Sequence, residues 1–253
     1  MARKDHYYNK SKQEGYRSRA AYKLKQLDEK THLLGEGNTV VDLGAAPGGW
    51  LQVAAERVGD RGTVIGVDLQ RIKPIDGVET VKGDMTTEET KSEVRALAGD
   101  AVDVVLSDMA PNMTGEYNLD HARSVHLARQ AFETALDVLD TGGDLVVKVF
   151  QGPDLAALKA EMEGEFRYVR TTSPDASRQE SSEVYLVAKD FLTAPVRTGD
   201  RLEVTIEDVG SKGDGIAKVE EFTVFVPGTE TGDRVEIRIE DVKPRFAFGQ
   251  KVN

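Results

Sequence analysis

The chain has 253 residues, of which 39% are apolar, and carries a formal net charge of -11 from 33 Lys and Arg against 44 Asp and Glu. That length fits a single domain of roughly 200 to 250 residues, or a main domain with a small appendage. Cysteine is absent, which excludes disulfides, thiolate nucleophiles, zinc fingers and iron–sulfur clusters.

A mean hydropathy of -0.42 describes a soluble chain. No run reaches the ~20 apolar residues of a membrane helix. The start, MARKDHYYNKSK, has no apolar core of a secretory signal. The expected location is cytoplasmic, with no membrane partner. The four histidines (His6, His32, His121, His126) form no ligand-like cluster, so no metal is expected.

The charge is unevenly placed. Residues 1–30 hold nine basic residues and four acidic ones, a local +5, and the remainder sums to -16. A basic patch on an acidic body is an electrostatic footprint for a polyanion, or else a solvated tail. Tyr7, Tyr8 and Tyr16 lie within it and are candidates for base stacking. The acidic remainder suits a salt-rich cytosol.

In chain order, Ala20, Ala21, Leu24 and Leu27 recur at helical spacing and predict one helix over 13–30, with Lys23 bordering its buried stripe. Strands follow at 39–44, 63–68, 79–84, 102–108 and 144–150. Helices are expected over Trp50–Val58, over Glu88–Leu97 and along Val125 to Leu139. A helix at 156–162 and strands at 166–171 and 182–188 complete the series. Apolar strands separated by helices predict an α/β domain of Rossmann-like form with a mostly parallel sheet. Four of the strands end in Asp, at Asp42, Asp68, Asp84 and Asp108. In such sheets ligands bind beyond the carboxyl ends of the strands. One Asp there is an ordinary turn or cap residue; four together favour a site.

After Lys189 the periodicity changes. Residues 190–196 read as the core of a linker. From 197 to 253, five short strand-like runs between glycine-rich turns predict a small OB-like β-barrel. Its nine basic and twelve acidic residues (counted from 196) do not favour RNA. Phe222, Phe225, Phe246 and Phe248 are either barrel core or surfaces for bases.

The strongest local motif is Asp42-Leu-Gly44-Ala-Ala-Pro-Gly48-Gly-Trp50, at a strand-to-helix junction. Small residues there let backbone approach a ligand, and the helix start offers free N–H groups. The glycine spacing is not the Gly-x-Gly-x-x-Gly of dinucleotide folds, and no phosphate-loop Lys-Ser/Thr follows. A nucleoside without a pyrophosphate fits better, and S-adenosylmethionine meets that description. Asp68 is placed for the ribose hydroxyls of an adenosine. Asp84 is placed for an adenine amino group, or caps the segment from Thr86. Trp50 packs a helix start or borders the methionine pocket.

Lys148 interrupts the apolar run Leu145–Phe150, where a lysine is almost never buried unless paired. It either reaches out at the strand end or works as a base. A lysine base near neutral pH must come down from ~10.4 to ~7–8, roughly 4 kcal/mol, which partial burial and a second cation supply.

GAAPGGW, LSDMAPN, VVKVFQG and SSEVYLVA, in this order, resemble the FtsJ/RrmJ family of S-adenosylmethionine-dependent RNA ribose 2′-O-methyltransferases, and in particular its branch acting on uridine in large-subunit (23S) ribosomal RNA. The likeness runs from about residue 6 to 189. The last 57 residues, with GDGIAKVEEFTVFVPG, resemble a TRAM domain, an RNA-binding barrel that the plain family pattern lacks. The resemblance implies a class I methyltransferase domain over 1–189 with S-adenosylmethionine as cofactor. It also implies a catalytic tetrad of Lys23, Asp108, Lys148 and Glu183. Lys148 would take the 2′-hydroxyl proton, with Lys23 as the second cation. Asp108 would hold Lys148, and Glu183 would orient a lysine or the ribose. Gly44, Gly48, Trp50, Asp42, Asp68, Asp84 and Asp108 would form the cofactor site. The competing expectations are a tRNA ribose methyltransferase and a non-catalytic ribosome-assembly factor.

Overall fold

The computed structural model describes residues 6–99, 101–177, 182–211 and 213–252. Arg3 and Lys4 of the basic segment lie outside the described residues. Among those described, no helix is long and apolar enough to cross a membrane.

The N-terminal segment forms two helices, not one. α1 spans His6–Gln13 and α2 spans Ala21–Thr31. Gly15 takes φ +79° between them, a conformation that ends a helix and suits glycine. Tyr16 then folds inward, 7% exposed, and donates its hydroxyl to the Glu56 carboxylate at 2.7 Å.

Next come β1 (Thr39–Leu43), α3 (Gly49–Val58), β2 (Thr63–Asp68), β3 (Glu79–Lys82), α4 (Glu88–Ala98), β4 (Val104–Ser107) and α5 (Tyr117–Val138). They are followed by β5 (Asp144–Phe150), α6 (Leu155–Glu163), β6 (Phe166–Thr172) and β7 (Glu183–Phe191). α5 begins well before the apolar positions from Val125 that mark it in sequence. The sheet order is β3-β2-β1-β4-β5-β7-β6. The first five are mutually parallel, and β7 inserts antiparallel between β5 and β6.

Both faces are covered, which is why the inner strands β1, β2, β4 and β5 are near-continuous apolar runs, while the edge strands β3 and β6 are mixed. Val94 of α4, Phe132 of α5 and Leu158 of α6 pack on one face. Leu24 of α2 and Leu51 of α3 pack on the other. The register aligns Leu43 with Val67 and Ser107, and Ser107 with Val147. One residue further along, the same row therefore delivers Gly44, Asp68, Asp108 and Lys148 to the carboxyl edge.

Beyond β7 the strands are β8 (Arg201–Thr205), β9 (Asp208–Val209), β10 (Gly215–Val219), β11 (Phe222–Val226), β12 (Arg234–Val242) and β13 (Phe246–Lys251). Their order is β8-β12-β13-β11-β10-β9. The five expected runs become six strands because the first bends. Ile206 N donates to Asp233 O at 2.8 Å, on the β12 side, and Glu207 N to Ile216 O at 2.8 Å, on β10. One run thus serves both edges of the curled sheet, as an OB-like module requires. The expected linker is not loose chain. β7 runs on to Phe191, and Leu192, Ala194 and Val196 are buried in the barrel's own core.

Candidate active site

At the carboxyl edge four charged side chains meet. Lys148 comes from β5, Asp108 from the end of β4, Lys23 from α2 and Glu183 from the start of β7. Lys148 Nζ lies 2.9 Å from Asp108 Oδ1 and also donates to the Asp108 backbone carbonyl. Lys23 Nζ lies 2.8 Å from Glu183 Oε1 and 3.6 Å from Asp108 Oδ1. Lys148 and Lys23 are 7% and 8% exposed, so these charges are buried and matched, as buried charges must be. The first α2 stripe, read as Ala20, Ala21, Leu24 and Leu27, does place Lys23 at its border and inward.

Tyr185 completes the cluster, and sequence reasoning missed it. It pairs directly with Lys148 across β5 and β7. It is fully buried, and its hydroxyl donates to Asp108 Oδ1 at 2.6 Å. Its ring centroid lies 5.8 Å from Lys23 Nζ and 6.0 Å from the Trp50 ring. Burial alone would raise the Asp108 carboxyl. The two ammonium groups and the Tyr185 hydroxyl outweigh it and hold Asp108 below the usual carboxylate range. The same burial and the same carboxylate push the Tyr185 phenol well up.

Beside the cluster lies an open cavity of about 380 Å³. Gly44, Asp68, Asp84, Asp108 and Met109 line it. A Cβ on Gly44 would sit 2.2 Å from Met109 Cγ, so only glycine keeps that wall open without displacing Met109. Asp68 accepts from Ala46 N at 2.9 Å and Gln70 N at 2.7 Å. Each of its oxygens retains a lone pair for a further donor. Asp84 Oδ1 accepts from the Thr86 amide and hydroxyl, at 2.9 and 2.7 Å, which lowers its carboxyl. The cap of α4 is Thr87, not Asp84.

Asp42, Gly48 and Trp50 lie off the cavity wall. Asp42 is 2% exposed within β1, and burial, then the charges of Asp108 and Asp68, push its carboxyl well up. Gly48 caps α3 at φ +106°, where a Cβ would meet Ile75 at 2.8 Å and Arg17 at 3.1 Å. Trp50 is 3% exposed and donates Nε1 to Ala20 O at 2.8 Å. It braces α2 and Tyr185 from behind.

The basic segment is more structural than its charge implied. The Arg17 guanidinium donates to Lys73 O and Pro74 O, both at 2.6 Å, and to Pro47 O at 3.2 Å. It ties the glycine loop to the chain after β2. Arg19 donates to Ala176 O. Of the three tyrosines expected to stack, Tyr16 is buried and Tyr7 packs on Tyr22 at 5.4 Å. Tyr8 is 42% exposed.

On the barrel, Phe222 packs against the interior. Phe225, Phe246 and Phe248 alternate outward from buried Val224, Val226 and Ala247. Their ring centroids lie 5.4 to 5.9 Å apart.

The cavity suits a nucleoside bearing an amino acid. It offers three carboxylates, small backbone-exposing residues and apolar Met109 and Val67, and its lining includes no lysine or arginine to neutralise a pyrophosphate.

Comparison with known proteins agrees with this fold. Residues 16–191 match the FtsJ-like methyltransferase family, and residues 195–252 match the TRAM domain. The ribosomal RNA large subunit methyltransferase E of Natronomonas pharaonis is 68% identical over 99% of both chains. The protein of that name from Haloarcula marismortui is 64% identical over the whole of both. A Plasmodium falciparum crystal structure, described as a ribosomal RNA methyltransferase, superposes with a TM-score of 0.64 at 32% identity. It covers 70% of this chain and 98% of its own. With its parallel sheet, its cavity at the carboxyl edge and its C-terminal barrel, the chain belongs to the FtsJ-like methyltransferase family and carries a TRAM domain.

Proposed function

We propose that this protein methylates the 2′-hydroxyl of a uridine ribose in large-subunit ribosomal RNA, with Lys148 as general base. Residues 1–189 would form the catalytic part, and 197–253 an RNA-binding module. The observation that carries the proposal is the junction at Asp108, where one carboxylate receives Lys148, Lys23 and Tyr185 at the mouth of the cavity. The names of the relatives point to the same RNA.

S-adenosylmethionine, when bound, supplies an electrophilic methyl group. Asp68 would receive its ribose hydroxyls and Asp84 its adenine amino group, while Gly44 keeps the backbone within reach. A ribose hydroxyl is a poor nucleophile and must lose its proton as it attacks. Lys148 Nζ, an ammonium against Asp108 in the resting cluster, would first give up a proton to water and then accept the hydroxyl proton as the free amine. The ammonium it becomes finds the Asp108 carboxylate and carbonyl already in place, so its charge is met without reorganisation. Lys23, steadied by Glu183, presents positive charge towards the oxygen that becomes negative. Trp50 and Tyr185 keep this arrangement rigid and exclude water from one side.

The test is Lys148→Ala, assayed for methyl transfer to ribosomal RNA, with the product nucleosides identified by mass spectrometry and RNA binding measured in parallel. General-base loss is expected to slow transfer by about 10² to 10⁴-fold, with RNA affinity retained and 2′-O-methyluridine as the wild-type product. Unchanged transfer in the variant sinks the base assignment. No transfer by the wild type favours the non-catalytic assembly factor. A ribose methyl found in tRNA moves the substrate.

A further inference from the structure

One exposed aromatic residue at the rim has no part in the scheme above. Tyr117 opens α5 and is 56% exposed, although its hydroxyl donates to Gln151 O at 2.7 Å. A surface tyrosine ordinarily leaves its hydroxyl in water and rests its ring on the protein. Here the hydroxyl is tied down and the ring is presented.

The tether sits at the reacting end of the sheet. Gln151 N donates to Ser182 O at 2.8 Å, and the next pair inward is Phe150 with Glu183. Tyr117 is thus fixed to the end of the two strands that carry Lys148 and Glu183. Gln151 lies three residues past Lys148, roughly 10 Å along a strand, which is the scale of a nucleoside.

The chain just before Tyr117 is tied back at Thr114 and Gly115. The Asp120 carboxylate accepts from Thr114 N and Oγ1, both at 2.8 Å, and from Gly115 N at 3.0 Å. Met113, on this same loop, is 64% exposed. An aromatic ring with a polarizable thioether on the neighbouring loop suits a flat, apolar, π-faced ligand.

We infer that Tyr117, with Met113 on the adjoining loop, stacks the base of the nucleotide whose ribose is methylated, so that the protein takes its target unpaired. This rests on the ribose-methylation reading above. Stacking tolerates any base, so the platform holds the nucleotide by its flatness and leaves base identity to other contacts.

The experiment uses the full chain and an RNA that it methylates, with the modified nucleotide mapped first. Tyr117→Ala is expected to raise the KM for RNA roughly tenfold, with kcat and S-adenosylmethionine affinity close to wild type. Tyr117→Phe keeps the ring and should stay near wild type. An otherwise identical RNA lacking the base at the target nucleotide should raise the wild-type KM equally. Tyr117→Ala should then add nothing further.

Independent, additive effects of the variant and the missing base overturn the inference, and would favour a protein partner for this patch. So does a Tyr117→Phe variant as impaired as Tyr117→Ala, because the hydroxyl tether alone would then matter. Loss of cofactor affinity in Tyr117→Ala overturns it too, in favour of a structural role. If the wild type methylates no RNA, the ribose-methylation reading falls and takes this inference with it; in every other outcome that reading stands.

Discussion

The carboxyl edge of the parallel sheet and the outer face of the barrel depart from ordinary protein surfaces in opposite directions. At the sheet edge, Lys23 and Lys148 are withdrawn from water and matched against Asp108 and Glu183. On the barrel, Phe225, Phe246 and Phe248 form a connected patch left partly in water, with Phe248 37% exposed. A buried charge and a clustered exposed ring both cost free energy relative to the reverse arrangement. The first is retained where chemistry needs a preorganised field. The second is retained where a flat ligand will cover it. On the function proposed above, the contrast would give chemistry to one region and holding to the other, and it can be attacked at either end.

The largest effect is expected from Asp108→Asn. Two ammonium groups would lose their shared carboxylate, and breaking a buried pair costs about 3–5 kcal/mol. Urea unfolding of the two proteins checks this. The pH dependence has a defined sign. The folded Asp108 carboxyl lies below its ordinary value. Its contribution is therefore present above about pH 4 and is lost as pH falls through the folded value. The variant should lack that acid-side loss. Equal stability of the two proteins at pH 7 would mean that the buried charges are matched some other way.

The barrel should respond in binding and not in stability. Replacing Phe225, Phe246 and Phe248 by Ala, singly, is expected to weaken binding of single-stranded RNA by about 1–3 kcal/mol per stacked base. Methyl transfer at saturating RNA should be untouched. Fluorescence titration against a labelled RNA measures the first and a saturated turnover assay the second. A fall in saturated turnover would erase the division of labour.

The smallest effect sharpens the edge itself. Asp42 and Asp108 stand on neighbouring strands, yet their carboxyls move in opposite directions. A raised folded value contributes stability that is full below about pH 4 and is lost as pH rises through the folded value. Asp42→Asn removes this dependence, so the variant should gain thermal stability relative to wild type as pH rises from about 4. A difference between the two proteins that does not move in the variant's favour as pH rises would show that folding does not raise the Asp42 carboxyl.

Much of the fold was legible because the inner strands of the main sheet are continuous apolar runs closed by a polar residue. Lys148 stood out for the same reason: a lysine inside such a run has to be accounted for. Tyr185 did not stand out, since a tyrosine in an apolar strand reads as core. Only the pairing of β5 with β7 shows that its hydroxyl reaches Asp108. The helix expected over 13–30 begins only at Ala21, and α1 went unread because His6–Gln13 carries no apolar stripe and buries only Ser11. The basic residues of the first segment looked alike in sequence. Arg17 and Arg19 are in fact engaged by backbone carbonyls, a use that charge counting does not reveal. The bend at Ile206–Glu207 did leave a mark, since the alternation of Leu202, Val204 and Ile206 breaks at Glu207-Asp208, but within a short run that break reads as the end of one strand.

The placement of β7 has a consequence in time. This strand is the last of the main sheet in sequence, yet it lies between β5 and β6 and brings both Glu183 and Tyr185. A chain emerging from the ribosome can build the first five strands without it, and contacts of such long sequence separation close late. Until β7 slots into its gap, Lys23 has no Glu183 and Asp108 has no Tyr185. A half-folded chain lacking β7 therefore holds Asp68 and Asp84 but not the finished cluster of Lys23, Asp108, Lys148, Glu183 and Tyr185. On the mechanism proposed above, competence to react would arrive together with completion of the sheet.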